Sequence, residues 1–283
     1  MEHAILPNGV SMPLMGYGTF QISNGEECQH CVSQALKLGY RLFDTAAAYG
    51  NESSIGAAVA QSEIPREEIF LTTKLWLEDS DYHQTLSAFN RSLKKLETDY
   101  IDLYLIHHPF GDYYSSWRAL EHLYREGWVR AIGVSNFYPD RLVDLCMNSD
   151  IPPMVNQVEL HPFFQQKEAL AVMEEYQVIP QAWGPLCEGQ KDIFNNKVLQ
   201  KIAGRYKKTP AQVVLRWHFQ RGISAIPRSV RKDHMAENLD IHDFSLTQRD
   251  MDMISPLDIG HSEIIDHRCA YTARQLNGLR LNL

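Results

Sequence analysis

Gly39-Tyr40-Arg41-Leu42-Phe43-Asp44-Thr45-Ala46-Ala47-Ala48-Tyr49-Gly50-Asn51-Glu52 holds a strand, a turn and a helix entry in one short stretch. A short apolar run ends in an acid, Asp44, crosses a turn of small residues carrying Tyr49, and enters a helical pattern. The same design recurs downstream. Lys74 lies near the end of Phe70-Leu71-Thr72-Thr73-Lys74-Leu75-Trp76, and His107 closes the apolar run of Leu103-Tyr104-Leu105-Ile106-His107-His108-Pro109. Polar groups at the same end of successive parallel strands converge on one mouth, and in a barrel that mouth is where chemistry is done.

Outward from that stretch, apolar runs alternate with amphipathic segments for nearly the whole length. The runs cover 14–18, 41–44, 69–73, 101–106, 131–135, 154–158, 178–182 and 223–226, eight in all. Between them, Leu86, Phe89, Leu93 and Leu96 share one helical face, as do Trp117, Leu120 and Tyr124. Thr209-Pro210-Ala211-Gln212 reads as a capping box with proline at the first helical position. Ahead of the runs, Ala4-Ile5-Leu6, a turn at Asn8-Gly9, and Val10-Ser11-Met12 read as a hairpin. Eight strands alternating with helices predict an α/β protein, a (β/α)8 TIM barrel with an N-terminal β-hairpin, in a single domain over 1–283. An open doubly wound sheet is the rival. It lacks support, because no G-x-G-x-x-G follows the first strand.

Composition narrows the function. A net charge of −8 disfavours nucleic acid, which needs a clustered basic surface. No apolar run is long enough to span a bilayer, and Met1-Glu2-His3-Ala4 does not start a secretory leader, so a cytoplasmic protein without membrane contact is expected. A monomer is expected too. The five cysteines, an odd number, do not form a disulfide framework. Cys28-Gln29-His30-Cys31 invites a metal reading, but Cys28, Cys31, Ala35 and Leu38 fall on one helical stripe and no second pair follows at zinc spacing. No metal is expected.

Three further blocks complete a pattern: Leu120 to Phe137 ending Gly133-Val134-Ser135-Asn136-Phe137, Asn156-Gln157-Val158-Glu159-Leu160-His161-Pro162, and Ile226-Pro227-Arg228-Ser229 leading to Glu237-Asn238. With the stretch from Gly39 to Gly56, they run in order over most of the chain, which resembles the aldo-keto reductases. The resemblance implies a barrel that binds NADPH at its C-terminal mouth. It also implies that Asp44, Tyr49, Lys74 and His107 form a catalytic tetrad. Each has a bland reading alone: a turn tyrosine, a strand-end lysine, a core histidine. Together they fit carbonyl reduction. An alkoxide left by hydride transfer needs a proton, and a phenol with a pKa of about 10 is a feeble acid alone. A lysine beside Tyr49 is expected to acidify it, with Asp44 holding the lysine. His107 would give a second hydrogen bond to the developing oxyanion.

By the same resemblance, Ser135, Asn136 and Gln157 bond the nicotinamide carboxamide, although Ser135-Asn136 could instead cap the helix before Pro139. Trp183 stands where relatives more often have a tyrosine stacked on the nicotinamide, with Gly184 and Leu186 beside it. Gly18, Thr19 and Asp44 would also flank the cofactor. Ile226, Arg228, Ser229, His234, Glu237 and Asn238 form the adenosine-phosphate end. There His234 replaces an expected arginine, and a neutral imidazole cannot replace a permanent cation. Preference for NADPH should therefore be weaker than usual, with NADH possible and Arg231 or Lys232 as substitutes. The substrate is expected to be a small carbonyl compound, an aldehyde or ketone, in a pocket of Tyr17, Phe20, Trp76, His107, His108 and Phe110. The tail from Asp258, with His261, His267, Arg268, Tyr271 and Arg274, receives no assignment beyond closing the pocket. A cofactor-binding regulatory subunit of the same fold is the alternative.

Overall fold

Strands buried on both faces explain why the barrel segments read as unbroken apolar runs. The structure, a computed structural model, describes residues 2–281. β1 (His3–Ile5) and β2 (Ser11–Pro13) pair antiparallel around Gly9, whose φ of 85° suits the Asn8-Gly9 turn. The eight strands that follow are β3 (Gly16–Gly18), β4 (Leu42–Asp44), β5 (Phe70–Leu75), β6 (Ile101–Ile106), β7 (Val129–Ser135), β8 (Val155–Glu159), β9 (Ile179–Trp183) and β10 (Ser224–Ala225). They lie in sequence order in one parallel sheet. A parallel bridge from Met15 to Ala225 joins the two edges, so the sheet closes into the expected (β/α)8 barrel. The hairpin forms its floor, with Leu6 and Met12 buried and Gln181 Nε2 3.9 Å from Met12 Sδ.

The helices are α1 (Gly25–Leu38), α2 (Glu52–Ala60), α3 (Tyr82–Leu96), α4 (Tyr113–Arg125), α5 (Pro139–Met147) and α6 (Lys167–Glu175). After them come α7 (Lys197–Tyr206), α8 (Pro210–Gln220), α9 (Lys232–Leu239), α10 (Gln248–Ile254) and α11 (Ala270–Gly278). Their apolar stripes face the barrel. Phe89 and Leu96 of α3, and Trp117 and Leu120 of α4, are fully buried, each burial contributing about 1.5–3 kcal/mol. Asn24 caps α1 by accepting from the amides of Glu26 and Glu27, and Gly39 ends it at φ 105°, a conformation that strains any L side chain. Cys28 and Cys31 sit on the buried face of α1, and Thr209 and Gln212 form the expected capping box on α8. Before Pro139 the N-cap position of α5 is Tyr138, so Ser135 and Asn136 are not its caps.

Register aligns the polar strand ends. Gly18 pairs with Asp44, Ser135 with Gln157, and Gln157 with Gln181. Among the described residues, no helix is long and apolar enough to cross a membrane, and no group of three metal-ligating side chains could hold an ion.

Candidate active site

Lys74, with no exposed surface, is the hub of the mouth. Its Nζ donates to Asp44 Oδ1 at 2.6 Å and to the Thr45 carbonyl at 2.9 Å, and stands 3.4 Å from the Tyr49 hydroxyl. Burying two charges costs several kcal/mol per ion unless geometry and further hydrogen bonds compensate. Here they do. Asp44 Oδ2 accepts from Gln157 Nε2 at 2.6 Å, so both carboxylate oxygens are satisfied. Tyr49 is presented by a short 3-10 turn that Gly50 ends at φ 68°. Asn51 holds that turn: its Oδ1 accepts from Thr45 at 2.7 Å, and its Nδ2 donates to the Thr19 and Ile22 carbonyls.

The charge balance at Tyr49 runs opposite to the expectation from residue identity. Enclosure of the phenol, then the Asp44 and Glu188 carboxylates, pushes its pKa well above the ordinary value. These outweigh the Lys74 ammonium, which is shared with Asp44 and is itself pulled down by burial. Tyr49 is thus a fully protonated phenol. His107 is held well below the usual imidazole range by burial and then by His108, Lys74 and His267, so it is neutral at neutral pH. Its Nδ1 is buried without a partner among the described residues. A buried N–H without an acceptor costs more than a bare lone pair in a tight apolar wall, which assigns the proton to Nε2.

A cavity of about 800 Å³ opens above this cluster. Asp44, Tyr49 and His107 line it, and Lys74 lies just behind. Gly18, Ser135, Asn136, Gln157, Trp183, Gly184, Leu186, Ile226, Arg228, Ser229 and His234 of the expected cofactor set also line it, as do Phe20, Trp76 and His108 of the expected substrate set. Five other residues lie off the lining. Thr19 is fully buried and bonds the Asp44 carbonyl; Asn238 is buried; Glu237 accepts from Thr209 at 2.6 Å. Phe110 stands one layer back, its ring 6.2 Å from that of His267. Tyr17 is a correction. Alternation along β3 turns it to the helix side, where it packs edge-on against Tyr40 and Phe43 and its hydroxyl donates to the Ser229 carbonyl at 2.6 Å.

The amides are more heavily committed than the sequence suggests. Trp183 Nε1 donates to Asn136 Oδ1 at 2.8 Å, while Asn136 Nδ2 donates to the His107 carbonyl at 2.9 Å. At the far end, Arg228 Nη2 donates to Gln21 Oε1 at 2.9 Å. Arg231 is paired with Asp233, Nη2 to Oδ2 at 2.5 Å, and His234 is exposed. The tail, expected to close the pocket, supplies contacts that the sequence left unassigned: Ile264, Ile265, His267, Leu276, Leu279 and Leu281 all line the cavity. Glu159 pins that tail, accepting from Ser262 Oγ at 2.5 Å and the Glu263 amide at 3.0 Å. The apolar spacing from Ile264 to Leu281 was the available signal.

A buried acid–lysine pair thus stands behind a phenol and an imidazole at the C-terminal mouth of a (β/α)8 barrel. The model of the Aldo/keto reductase family matches residues 14–259, and the chain belongs to that family. It is 48% identical to the glyoxal reductase of Bacillus subtilis (strain 168) over 253 residues, covering 89% of this chain and 91% of that protein. An aldo-keto reductase enzyme from a Medee basin deep-sea metagenome library superposes with a TM-score of 0.92 at 43% identity, over 94% of this chain and 99% of that one. A Bombyx mori aldo-keto reductase in complex with NADP superposes with a TM-score of 0.87 at 33% identity, over 93% and 94% of the two chains.

Proposed function

We propose that this protein is an NADPH-dependent reductase converting a small aldehyde or ketone, dicarbonyls included, to an alcohol, with Tyr49 as the proton donor. The observation that carries this reading is the Lys74 ammonium held between Asp44 Oδ1 at 2.6 Å and the Tyr49 hydroxyl at 3.4 Å. The cavity suits an extended dinucleotide, with the Trp183 ring and the Asn136–Ser135 pair at the reacting end and Arg228 at the other. NADPH, when bound, supplies the hydride. His107 Nε2–H and the Tyr49 hydroxyl hold the carbonyl oxygen. Tyr49 then gives its proton to that oxygen as negative charge develops there. Lys74 is the cation facing the phenolate that remains.

Phe20, Trp76 and the tail's Ile264 and Ile265 give the mouth an apolar wall around the polar cluster, which favours a compact carbonyl compound. Arg228, whose guanidinium among the described residues is not tied to a carboxylate by a salt bridge as Arg231 is to Asp233, supports NADPH over NADH by a modest margin. The same reading takes the protein as a cytoplasmic monomer. NADPH oxidation measured with a panel of aldehydes and ketones, glyoxal among them, tests it. Steady turnover supports the reductase, and tight NADPH binding without turnover on any carbonyl would replace it with a regulatory role.

A further inference from the structure

The C-terminal tail brings an imidazole into the catalytic wall. His267 Nε2 lies 2.9 Å from His108 Nδ1, and His108 stacks on His107 with ring centroids 4.4 Å apart and planes within 4°. We propose that His267 is a positioning residue: its bond to His108 fixes the ring and tautomer of His108, and through the stack it sets the plane of His107. The role of His107 in this inference rests on the reductase reading above.

The need for such a device follows from what His107 lacks. A histidine in a reacting position is usually oriented by a hydrogen bond on the nitrogen that faces away from the reaction. His107 Nδ1 is buried and has no partner among the described residues. Its plane is therefore set by packing: the parallel His108 ring, and the edges of Tyr49 at 5.7 Å and Trp76 at 5.4 Å. An edge contact leaves a ring free to rock, whereas a parallel stack fixes its plane only if the neighbour is itself fixed.

His108 is fixed, and its tautomer is tied to that of His267. An indole N–H only donates, so Asn136 Oδ1 is the atom facing Trp183 Nε1, and Asn136 Nδ2 is the donor facing the His107 carbonyl. The two hydrogens of that Nδ2 go to the His107 carbonyl at 2.9 Å and to Ser135 Oγ at 3.1 Å, so its 3.4 Å approach to His108 Nδ1 leaves that nitrogen to His267. The 2.9 Å contact between His108 Nδ1 and His267 Nε2 holds one proton between two neutral rings, so the tautomer of one ring fixes that of the other. The charged groups acting on the stack are Lys74 from β5, on His107 and His108, and Glu159 from β8 and Asp266 from the tail, on His267. Burial outweighs them and keeps all three rings neutral near neutral pH, His267 being pushed down to about 4.

Two variants in the full chain test this. His267→Leu fills the space without a polar atom, and His267→Gln keeps an amide that can donate to or accept from His108 Nδ1. Imidazole nitrogen NMR, recorded without cofactor or substrate, should show His108 as a single tautomer in the wild type. It should show a tautomer mixture in His267→Leu and recovery in His267→Gln. In turnover, His267→Leu should lower kcat about threefold to tenfold, the size of one hydrogen bond, with NADPH affinity unchanged and His267→Gln regaining most of the loss. An unchanged His108 tautomer in His267→Leu overturns the proposal. So does equal loss in both variants, or a change confined to KM, because those mark a residue that merely fills the wall. If the wild type reduces no carbonyl, the reductase reading fails while the tautomer measurement still decides the role of His267.

Discussion

Gln157 reaches across the barrel from β8 to β4, where its Nε2 donates to Asp44 Oδ2 at 2.6 Å; the second hydrogen on that nitrogen goes to Gln181 Oε1 at 2.7 Å. Both donors are therefore occupied, and only Oε1 is left to meet a ligand. Gln157 is a strut for the acid–lysine pair first.

Gln157→Leu removes this strut and leaves a buried carboxylate oxygen without a partner. Such a loss costs about 1–3 kcal/mol. Urea denaturation at neutral pH should show a drop of that size with an unchanged m-value. Wild-type stability in this variant would mean that Asp44 is satisfied by something other than the amide.

Trp183 combines a ring face with a hydrogen bond to Asn136, and two substitutions separate them. Trp183→Ala removes both, and cofactor affinity should fall by about 1–3 kcal/mol if the scale of base–aromatic stacking applies to nicotinamide. Trp183→Phe keeps a ring and frees Asn136 Oδ1, so its loss should be smaller. Calorimetric titration with NADPH measures both. Equal, unchanged affinities would place the ring away from the cofactor.

Arg228 and His234 should set the coenzyme preference. Arg228→Ala should weaken NADPH about tenfold to a hundredfold and leave NADH nearly unaffected, since a hydrogen bond to a charged partner contributes about 1.5–3 kcal/mol. His234→Arg should tighten NADPH, less so as salt rises. Arg231 is tied to Asp233, so Arg231→Ala should do less than Arg228→Ala. The NADPH-to-NADH ratio of kcat/KM for each variant is the readout; a ratio indifferent to Arg228 and His234 would move the phosphate elsewhere.

Acid sensitivity should trace to buried neutral histidines. His267 has its pKa pushed down to about 4 from an ordinary 6.5. Between those values the unfolded chain binds the extra proton, so stability rises with pH there. Its contribution is complete above the unfolded value near 6.5 and is lost as pH falls toward 4. The slope from one group is up to about 1.4 kcal/mol per pH unit. Denaturation free energies of His267→Gln should therefore vary less steeply over this range than those of the wild type. Parallel slopes would mean that His267 takes up its proton in the folded state as readily as in the unfolded one.

The barrel and the gathering of Asp44, Lys74 and His107 at its mouth were legible because strand ends carry their own signal: an apolar run followed by one of these residues places a polar group at the mouth by topology alone. Parity was not legible in β3. Gly16 and Gly18 flank Tyr17, so no apolar–polar alternation revealed that its ring points to the helices. Residue identity likewise gave Tyr49 a cationic neighbour but not the enclosure that outweighs it. The tail was the least legible part. Its contacts span 103 residues from Glu159 to Ser262 and 159 from His108 to His267, and no local pattern encodes pairings of that separation.

Tyr49→Phe tests the central claim most directly, because it removes one hydroxyl whose only partner among the described side chains is Lys74 Nζ at 3.4 Å. Folding and NADPH affinity should survive, measured by thermal melting and fluorescence titration. Loss of a positioned general acid costs about 10²- to 10⁴-fold, and single-turnover reduction of an aldehyde by the NADPH-loaded enzyme should slow by that factor. A Tyr49→Phe enzyme that binds NADPH normally and reduces the aldehyde at the wild-type rate would contradict the assignment of Tyr49 as the proton donor.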